Sequence, residues 1–450
     1  MPNSRFSQLG NVTNIEPYVL GIILLLGILT ILLPRKYALF PIILASCFIT
    51  LGQRMVIFTL DFTMIRILIL FGFIRIILKQ EHGDFKPNII DKILVLFCLA
   101  QIITYTLLWS TSGAFINRLG RSLDALGIYF LCRFMIQDID DIKRLIRIVA
   151  ILSIPMGMMF IIEKYTGRNF FSIFGGVPEI TNIRDGKLRC QGPFRHPILA
   201  GTFGATIMPL FFSLWWQGGK SRLLAIISVL MVTFIAFSAA SSGAAIAYLS
   251  ALIGLSVFFL RKYLRFIRWG ILFSIIFLHL IMKAPVWFIF AKIGYLVGGE
   301  GRHRSRLIDG AISHFSDWWL VGTKSTAYWG WIMYDVTNQY IRIGVDGGII
   351  SLGLFIALIV FCFKAVGKMN ALLEYRSRAN QMLIWTMGVS LFAHTTSFLS
   401  ISYFDQITVF WYALLAMIAN LNSLLDKLDE IVRSVMQQFV IKTNKYQHAI

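Results

Sequence analysis

The sequence predicts an all-α protein, a polytopic bundle of transmembrane helices with two long outer loops. Three observations lead there. Hydrophobic residues make up 57% of the chain and charged residues 14%, with a mean hydropathy of +0.73, whereas a soluble surface needs about a quarter charged residues. Apolar runs of spanning length recur from end to end. The net charge of +20 sits mostly in the connections between those runs, where the positive-inside rule places it.

The runs fall at roughly 18–33, 37–52, 62–78, 89–109, 122–137, 145–162, 198–216, 222–239, 242–260, 266–283, 348–363, 382–399 and 407–425, about 13 helices (12 to 13 spans). The first is not a cleaved signal. It has no strong basic n-region and no small-x-small site follows, and Pro34-Arg35-Lys36 leads straight into the second run. The third carries Arg66, a cation that costs at least about 2.5–3.5 kcal/mol in hydrocarbon, so Arg66 should face the bundle interior or snorkel. Arg75, about half a turn round and near Lys79, reads as a snorkelling anchor. Arg118 and Arg121 stand at the outer start of the fifth run. The turn Ser238-Ala239-Ala240-Ser241-Ser242-Gly243-Ala244 is built of small residues that permit close helix packing. Residues 1–425 form one integral membrane domain, and 426–450 a polar, basic, cytoplasmic tail.

Arg35/Lys36, Lys79/Lys86, Lys143/Arg144/Arg147, Lys220/Arg222, Arg261/Lys262/Arg265/Arg268 and Lys364/Lys368/Arg376/Arg378 occupy every second connection. Those connections are expected to be cytoplasmic, with the N-terminus outside and the C-terminus inside. The two longest connections, about 163–197 and 284–347, then lie outside. They are basic as well, with Lys164, Arg168, Arg184, Lys187, Arg189 and Arg195 in one and Lys292, Arg302, Arg304, Arg306, Lys324 and Arg342 in the other. Positive charge there opposes the topogenic rule, and an anionic ligand is its simplest cause.

Several chemistries drop out. Four of the five cysteines, Cys47, Cys98, Cys132 and Cys362, lie in apolar runs, only Cys190 lies in an outer loop, and no CxxC occurs. The histidines are dispersed, with only His303 and His314 near enough for folding to unite them, so no metal and no cofactor is expected. Gly218-Gly219-Lys220-Ser221 ends like a P-loop, but Leu214 stands where the upstream glycine belongs. No HExxH and no GxSxG occurs. No basic patch is interleaved with exposed aromatics, which excludes nucleic acid as a partner.

Two segments carry chemistry. In Asp335-Val336-Thr337-Asn338-Gln339-Tyr340-Ile341-Arg342 an acid, an amide and a guanidinium are spaced by three and four residues, so a helix would put them on one face. The plain alternative is a helix cap followed by a surface ion pair. In Arg189-Cys190-Gln191-Gly192-Pro193-Phe194-Arg195-His196-Pro197-Ile198-Leu199-Ala200-Gly201 two prolines and a glycine end regular structure at a membrane entrance, among two arginines and a histidine.

The second segment resembles the R-x-x-G-x-F-x-x-P-x-x-x-A signature of the O-antigen ligase and Wzy-type polysaccharide polymerase superfamily. Ser305-Arg306-Leu307-Ile308-Asp309-Gly310-Ala311-Ile312 with Phe315 to Gly322 resembles that family's arginine-led helix and the turn after it. Asn338-Gln339-Tyr340-Ile341 with Asp346-Gly347-Gly348-Ile349-Ile350-Ser351-Leu352-Gly353 resembles its H-N-x-Y-L and E-x-G-x-x-G block. The motifs cover roughly 185–365. Thr337 stands where the family's ligases have a histidine, and Ser242 where they often have an arginine, so a polymerase of a divergent branch fits better than a ligase.

The resemblance implies a GT-C-like glycosyltransferase of the bacterial inner membrane. It would polymerise oligosaccharide repeat units carried on polyprenyl diphosphate into exopolysaccharide, capsule or O-antigen. A flippase, a chain-length regulator and export proteins are the further partners implied, beside membrane lipids. Arg189 and Arg306, with Arg195, Arg304 and Arg66 behind them, would stabilise the departing diphosphate by bidentate hydrogen bonds without a metal. Asp335 would be the general base, with His196 or His303 in reserve, Asn338 would orient the acceptor or the base, and Tyr340 and Arg342 would line the acceptor loop. Three other readings compete: a ligase that transfers finished glycan to a lipid, a flippase for lipid-linked oligosaccharide, and a non-catalytic partner in polysaccharide export. A flippase would show a charged cavity across both leaflets and often internal repeats, which this chain lacks.

Overall fold

Helices account for most of the chain. The computed structural model describes residues 13, 15–57, 60–82, 85–292, 301–374, 377–421 and 423. The first helices are α1 (Pro17–Leu32), α2 (Phe40–Phe48), α3 (Met64–Lys79), α4 (Ile89–Trp109), α5 (Ser112–Met135) and α6 (Ile139–Thr166). They are followed by α7 (Pro197–Phe212), α8 (Lys220–Ser238), α9 (Ser242–Ser256), α10 (Leu264–Ile281), α11 (Gly301–Ser313) and α12 (Phe315–Trp318). The last are α13 (Gln339–Leu372), α14 (Arg378–Ser397) and α15 (Ile407–Leu421). Two short hairpins interrupt them, β1 (Arg54–Ile57) with β2 (Leu60–Thr63), and β3 (Asn182–Arg184) with β4 (Lys187–Arg189).

Among the described residues six segments are long and apolar enough to cross a membrane. They are Ile89–Trp109, Ile139–Thr166, Pro197–Gln217, Lys220–Ser238, Ser242–Ile281 and Gln339–Leu372. The smaller number than the sequence runs suggest has local causes. The run at 37–52 yields only the nine-residue α2 before the β1–β2 hairpin. The runs at 18–33 and 62–78 yield helices of 16 residues. The run at 122–137 is the second half of α5, whose first half carries Asn117, Arg118, Arg121 and Asp124. The run at 348–363 belongs to α13, which starts nine residues earlier and bends where Gly348 leaves helical geometry (φ 71°). The tail at 426–450 and the end of the last run lie outside the described residues.

Helix α7 is the axis of the bundle, buried from Pro197 to Phe211. Its glycines let neighbours close in. A Cβ on Gly201 would stand 2.6 Å from Ala244 Cβ, and one on Gly204 2.5 Å from the Val232 carbonyl. Backbones of α8 and α9 therefore approach as the small-residue turn predicts. Phe203 adds a ring contact to Phe194 (5.5 Å) and another to Phe410 of α15 (4.8 Å). The hydroxyls of Thr202 and Thr206 donate to carbonyls of their own helix at 2.8 and 2.9 Å, which removes the cost of burying them. By contrast α10 has no buried residue, although Phe266, Trp269, Phe273 and Phe277 are all exposed. An apolar helix bare on every side suits a lipid solvent.

Buried ion pairs tie the helices at the end away from the long loops. Arg133 on α5 grips Asp91 on α4 through two hydrogen bonds of 2.8 Å, both side chains being about 3% exposed or less. Asp91 also closes the capping box of α4 with Asn88. Arg75 does not snorkel. It is 1% exposed, pairs with Glu81 at 2.6 Å, and donates to the carbonyls of Thr30, Ile31 and Leu33 at the end of α1. The last carbonyls of α1 lack helical partners, and a buried guanidinium supplies them.

Candidate functional site

Both long connections lie at one end of the bundle, and five stretches meet there. The first is the arginine-rich segment after β4. Its hairpin turns on Asp185 and Gly186, both left-handed (φ 49° and 71°), the geometry that a two-residue hairpin loop requires. Glu163 at the end of α6 then holds the segment. Its carboxylate accepts from the backbone of Gln191 (3.0 Å) and Gly192 (2.9 Å) and from the Thr181 hydroxyl (3.1 Å). Gly192 is left-handed (φ 53°) and packs on the Phe160 ring, so no side chain fits there.

Held in this way, Arg189 is buried and its Nε donates to the Ala239 carbonyl at 3.4 Å, while Cys190 N donates to the Ser238 carbonyl at 3.1 Å. The turn at 239–241 leads into α9. Arg304 reaches the same place from α11. It is 9% exposed, and a Cβ on Gly243 would stand 3.2 Å from its Nη2 and 2.7 Å from Ser400 Oγ. Two buried guanidiniums from two separate connections thus flank the N-terminus of α9, whose first amides and dipole favour an anion.

The loop at 398–406 links the stretches. Phe398 O accepts from Gln339 N (2.8 Å) and Gln339 Oε1 from Tyr403 N (2.7 Å), which docks the start of α13. The Tyr403 hydroxyl lies 2.6 Å from His394 Nδ1 and 2.7 Å from Ser397 Oγ. Gln406 Nε2 donates to Pro193 O at 2.7 Å. Asp405 Oδ2 accepts from Arg195 N at 2.8 Å. Asp405 is left-handed (φ 64°), and its Oδ1 is buried with no partner among the described residues. Burial pushes its carboxyl up to about 7, against the pull of the Arg195 N–H and charge.

The sequence-derived residues distribute as follows. Asp335, Asn338 and Arg342 do not share a helical face, because α13 begins only at Gln339. Asn338, rather than Asp335, is the N-cap, with its Oδ1 accepting from Ile341 N at 3.1 Å. Asp335 is exposed, and its carbonyl lies 3.1 Å from His303 Nε2. Arg342 pairs with Asp346 at 2.9 Å. Thr337 keeps a buried hydroxyl without a partner among the described residues. Arg304 and Arg306 face opposite ways on α11, Arg304 buried and Arg306 exposed. Arg195 and His196 have exposed side chains, and His196 Nδ1 caps α7 by accepting from Ile198 N at 3.2 Å. Arg66 lies apart from this end's arginine pair. It is clamped by Asp124 through two bonds of 2.7 Å and donates to Asp61 O. Tyr340 donates to Thr395 O at 3.1 Å. His314 stacks on Trp329, about 16 Å along the chain's helical path from His303, so the two histidines do not meet.

Below the start of α13 lies an open apolar groove of about 400 Å³. Ile308, Ile312, Phe315, Trp318 and Leu352 line it, with Asn338 at its wall. Among the described residues no group of three or more His, Cys, Asp or Glu side chains is placed to hold a metal ion. The Cys190 thiol is pushed up to about 12, chiefly by burial, which leaves it inert near neutral pH. Sequence reasoning missed Glu163 and Asp405, each a lone acid beside an apolar run without a spacing pattern to mark it. No family model matches this sequence, and no curated protein matches it.

Proposed function

We propose that this chain is a multi-pass glycosyltransferase of the bacterial inner membrane. Its substrate would be an oligosaccharide repeat unit on polyprenyl diphosphate, its product a polysaccharide, and its type that of the Wzy polymerases. The observation that supports this most is the approach of Arg189 and Arg304 to one helix N-terminus. Breaking the glycosidic bond leaves one more negative charge on the departing diphosphate, and buried, fixed donors can stabilise that charge as it forms. A guanidinium bonded to a backbone carbonyl, that of Arg189, and one packed on a glycine, that of Arg304, meet that need without reorganisation. The apolar groove beside Asn338 suits the isoprenoid chain of such a substrate. The loop end would face outward, because Arg35, Arg133, Arg144 and Arg261 crowd the other end.

Arg189 and Arg304 would hold the diphosphate as the glycosidic bond breaks. The acceptor hydroxyl would lose its proton to Asp335, an exposed acid three residues before Asn338 in the chain, while Asn338 fixes the start of α13. The test is polymer synthesis from purified lipid-linked repeat units by the protein in liposomes. Arg189→Ala and Arg304→Ala should each abolish product while the protein remains inserted. Asp335→Asn should lower turnover on the order of 10²–10⁴-fold with binding little changed. Normal chain lengths from both arginine variants would rule the reading out.

A further inference from the structure

We propose a second anion site at this end of the bundle, built by Arg118, Arg121, Arg342 and Lys324 around Asp346, that takes a phosphate or diphosphate group. Three elements contribute. Arg118 on α5 pairs with Asp346 at 2.7 Å, and Arg342 on α13 pairs with the same carboxylate oxygen at 2.9 Å. Gln101 on α4 accepts from Arg118 Nη1 at 3.1 Å, and the Tyr105 ring lies 3.8 Å under its guanidinium. Arg118 is therefore held rigidly, 5% exposed, with its Nε buried and without a partner among the described residues.

Arg121 stands one turn further on the same face of α5. It is exposed, and it makes no hydrogen bond or ion pair among the described residues. The charges of Arg118, Arg342 and Asp346 all act on it. The fourth cation arrives on the loop before α13. Thr323 N donates to Val345 O at 2.8 Å, Gly322 packs on the same carbonyl, and Lys324 sits 5.9 Å over the Trp109 ring. Trp109 in turn stacks near Tyr105 at 6.0 Å.

The charge balance points to a ligand. Three guanidiniums act on one dedicated carboxylate, and Lys324 adds a fourth positive charge on the loop bonded to Val345 O. Asp124, the next acid along α5, spends both oxygens on Arg66, and Asp335 acts on Arg342 only over a longer distance. The positive ends of α5 and α13 add to the excess. Such a cluster beside apolar helices is costly to keep unless an anion of two or more charges completes it. Arginine forks fixed by aromatic and carboxylate contacts suit phosphate oxygens. If the chain is a polymerase, this site would take the diphosphate of the second lipid-linked chain. That assignment rests on the reading above, and the anion site itself does not.

The experiment uses the full-length protein in nanodiscs of zwitterionic lipid, titrated with inorganic diphosphate by calorimetry. Arg121→Gln and Lys324→Gln are the variants of choice, since neither side chain is buried. Two binding events are expected in the wild type. Arg121→Gln should weaken one of them at least 10-fold and leave the other, and Arg189→Gln should do the converse. Loss of the Arg121-dependent event on adding phosphatidylglycerol would identify a lipid headgroup as the phosphate source, and its persistence would point to a diphosphate carrier. Unchanged binding in both Arg121→Gln and Lys324→Gln would overturn the proposal. Failure of Arg189→Gln alone to alter binding would count against the glycosyltransferase reading and leave this site standing.

Discussion

Arg304 lies against the backbone of Gly243 so closely that a methyl group on that glycine would sit 3.2 Å from Nη2 and 2.7 Å from Ser400 Oγ. The contact joins a helix of the long loop to the first turn of α9. It makes the position of a buried guanidinium depend on the absence of one carbon atom. Gly243→Ala should therefore displace Arg304 and Ser400 while slightly favouring the helix, since alanine exceeds glycine by about 0.5–1 kcal/mol in helix interiors. The expected outcome is a folded, inserted protein with polymer synthesis reduced at least about tenfold. Full synthesis by this variant would mean that the placement of Arg304 does not matter to the chemistry.

Lysine should replace neither buried arginine. One ammonium cannot reproduce a two-pronged contact, and each charge-assisted bond lost costs about 1.5–3 kcal/mol. Arg189→Lys and Arg304→Lys should thus lose about 10- to 100-fold in turnover. Product length on gels, with insertion checked in parallel, reads this out. Arg306→Lys, on the exposed face of α11, should be near wild type, and a deep loss there would move the anion site to the outer face of that helix.

Asp405 predicts a pH signature in stability. Its carboxyl titrates at about 7 in the folded chain against an ordinary 3.8. The folded state therefore binds more protons between those values, and the stability contribution falls as pH rises through the window from about 4 to about 7. Below pH 4 both states are protonated and the penalty vanishes. Asp405→Asn removes it, so the variant should melt higher than wild type at pH 8 and alongside it at pH 4. A melting-temperature difference that ignores pH would show that the carboxyl is not held in this way.

The Arg133–Asp91 pair should be the most sensitive point for stability. Truncating one partner leaves a buried, uncompensated charge, at a cost of about 3–5 kcal/mol. Arg133→Ala should lower the yield of folded protein in detergent, and Arg133→Ala with Asp91→Ala together should recover part of it. A double variant worse than the single one would indicate that the pair acts through other contacts, such as the Tyr129 hydroxyl bonded to Asp91.

Sidedness can be read by labelling. Lys187 and Lys324 are exposed at the loop end, and the native cysteines are buried. Lys187→Cys and Lys324→Cys should both react with a membrane-impermeant thiol reagent in intact cells. Modification only after lysis would invert the proposed orientation.

Much of the architecture was legible from composition. Apolar runs, basic connections and the small-residue turn at 238–244 all follow from local chemistry, and the helices appear where the runs are. Helix ends were less legible, because the starts of α5 and α13 mix polar and apolar residues and are stabilised by partners far along the chain. The same limit governs the site. Spacing alone suggested that Asp335 would join Asn338 and Arg342, yet the chain bonds Gln339 to Phe398 and so starts the helix after Asn338.

By itself the sequence determined that this is a helical chain with segments long and apolar enough to cross a membrane, and that its two long connections are rich in arginine. Only the tertiary structure decided which arginines are buried together. Arg304 faces inward and Arg306 outward because Leu307, Ala311 and Gly310 bury the same side of α11, and two residues along a helix point to nearly opposite faces. Arg118 and Arg342 meet because α5 packs Arg118 against Asp346 of α13, the same carboxylate that Arg342 holds one turn earlier on α13. Partners of that kind are chosen by packing between distant segments, which local sequence cannot encode one stretch at a time.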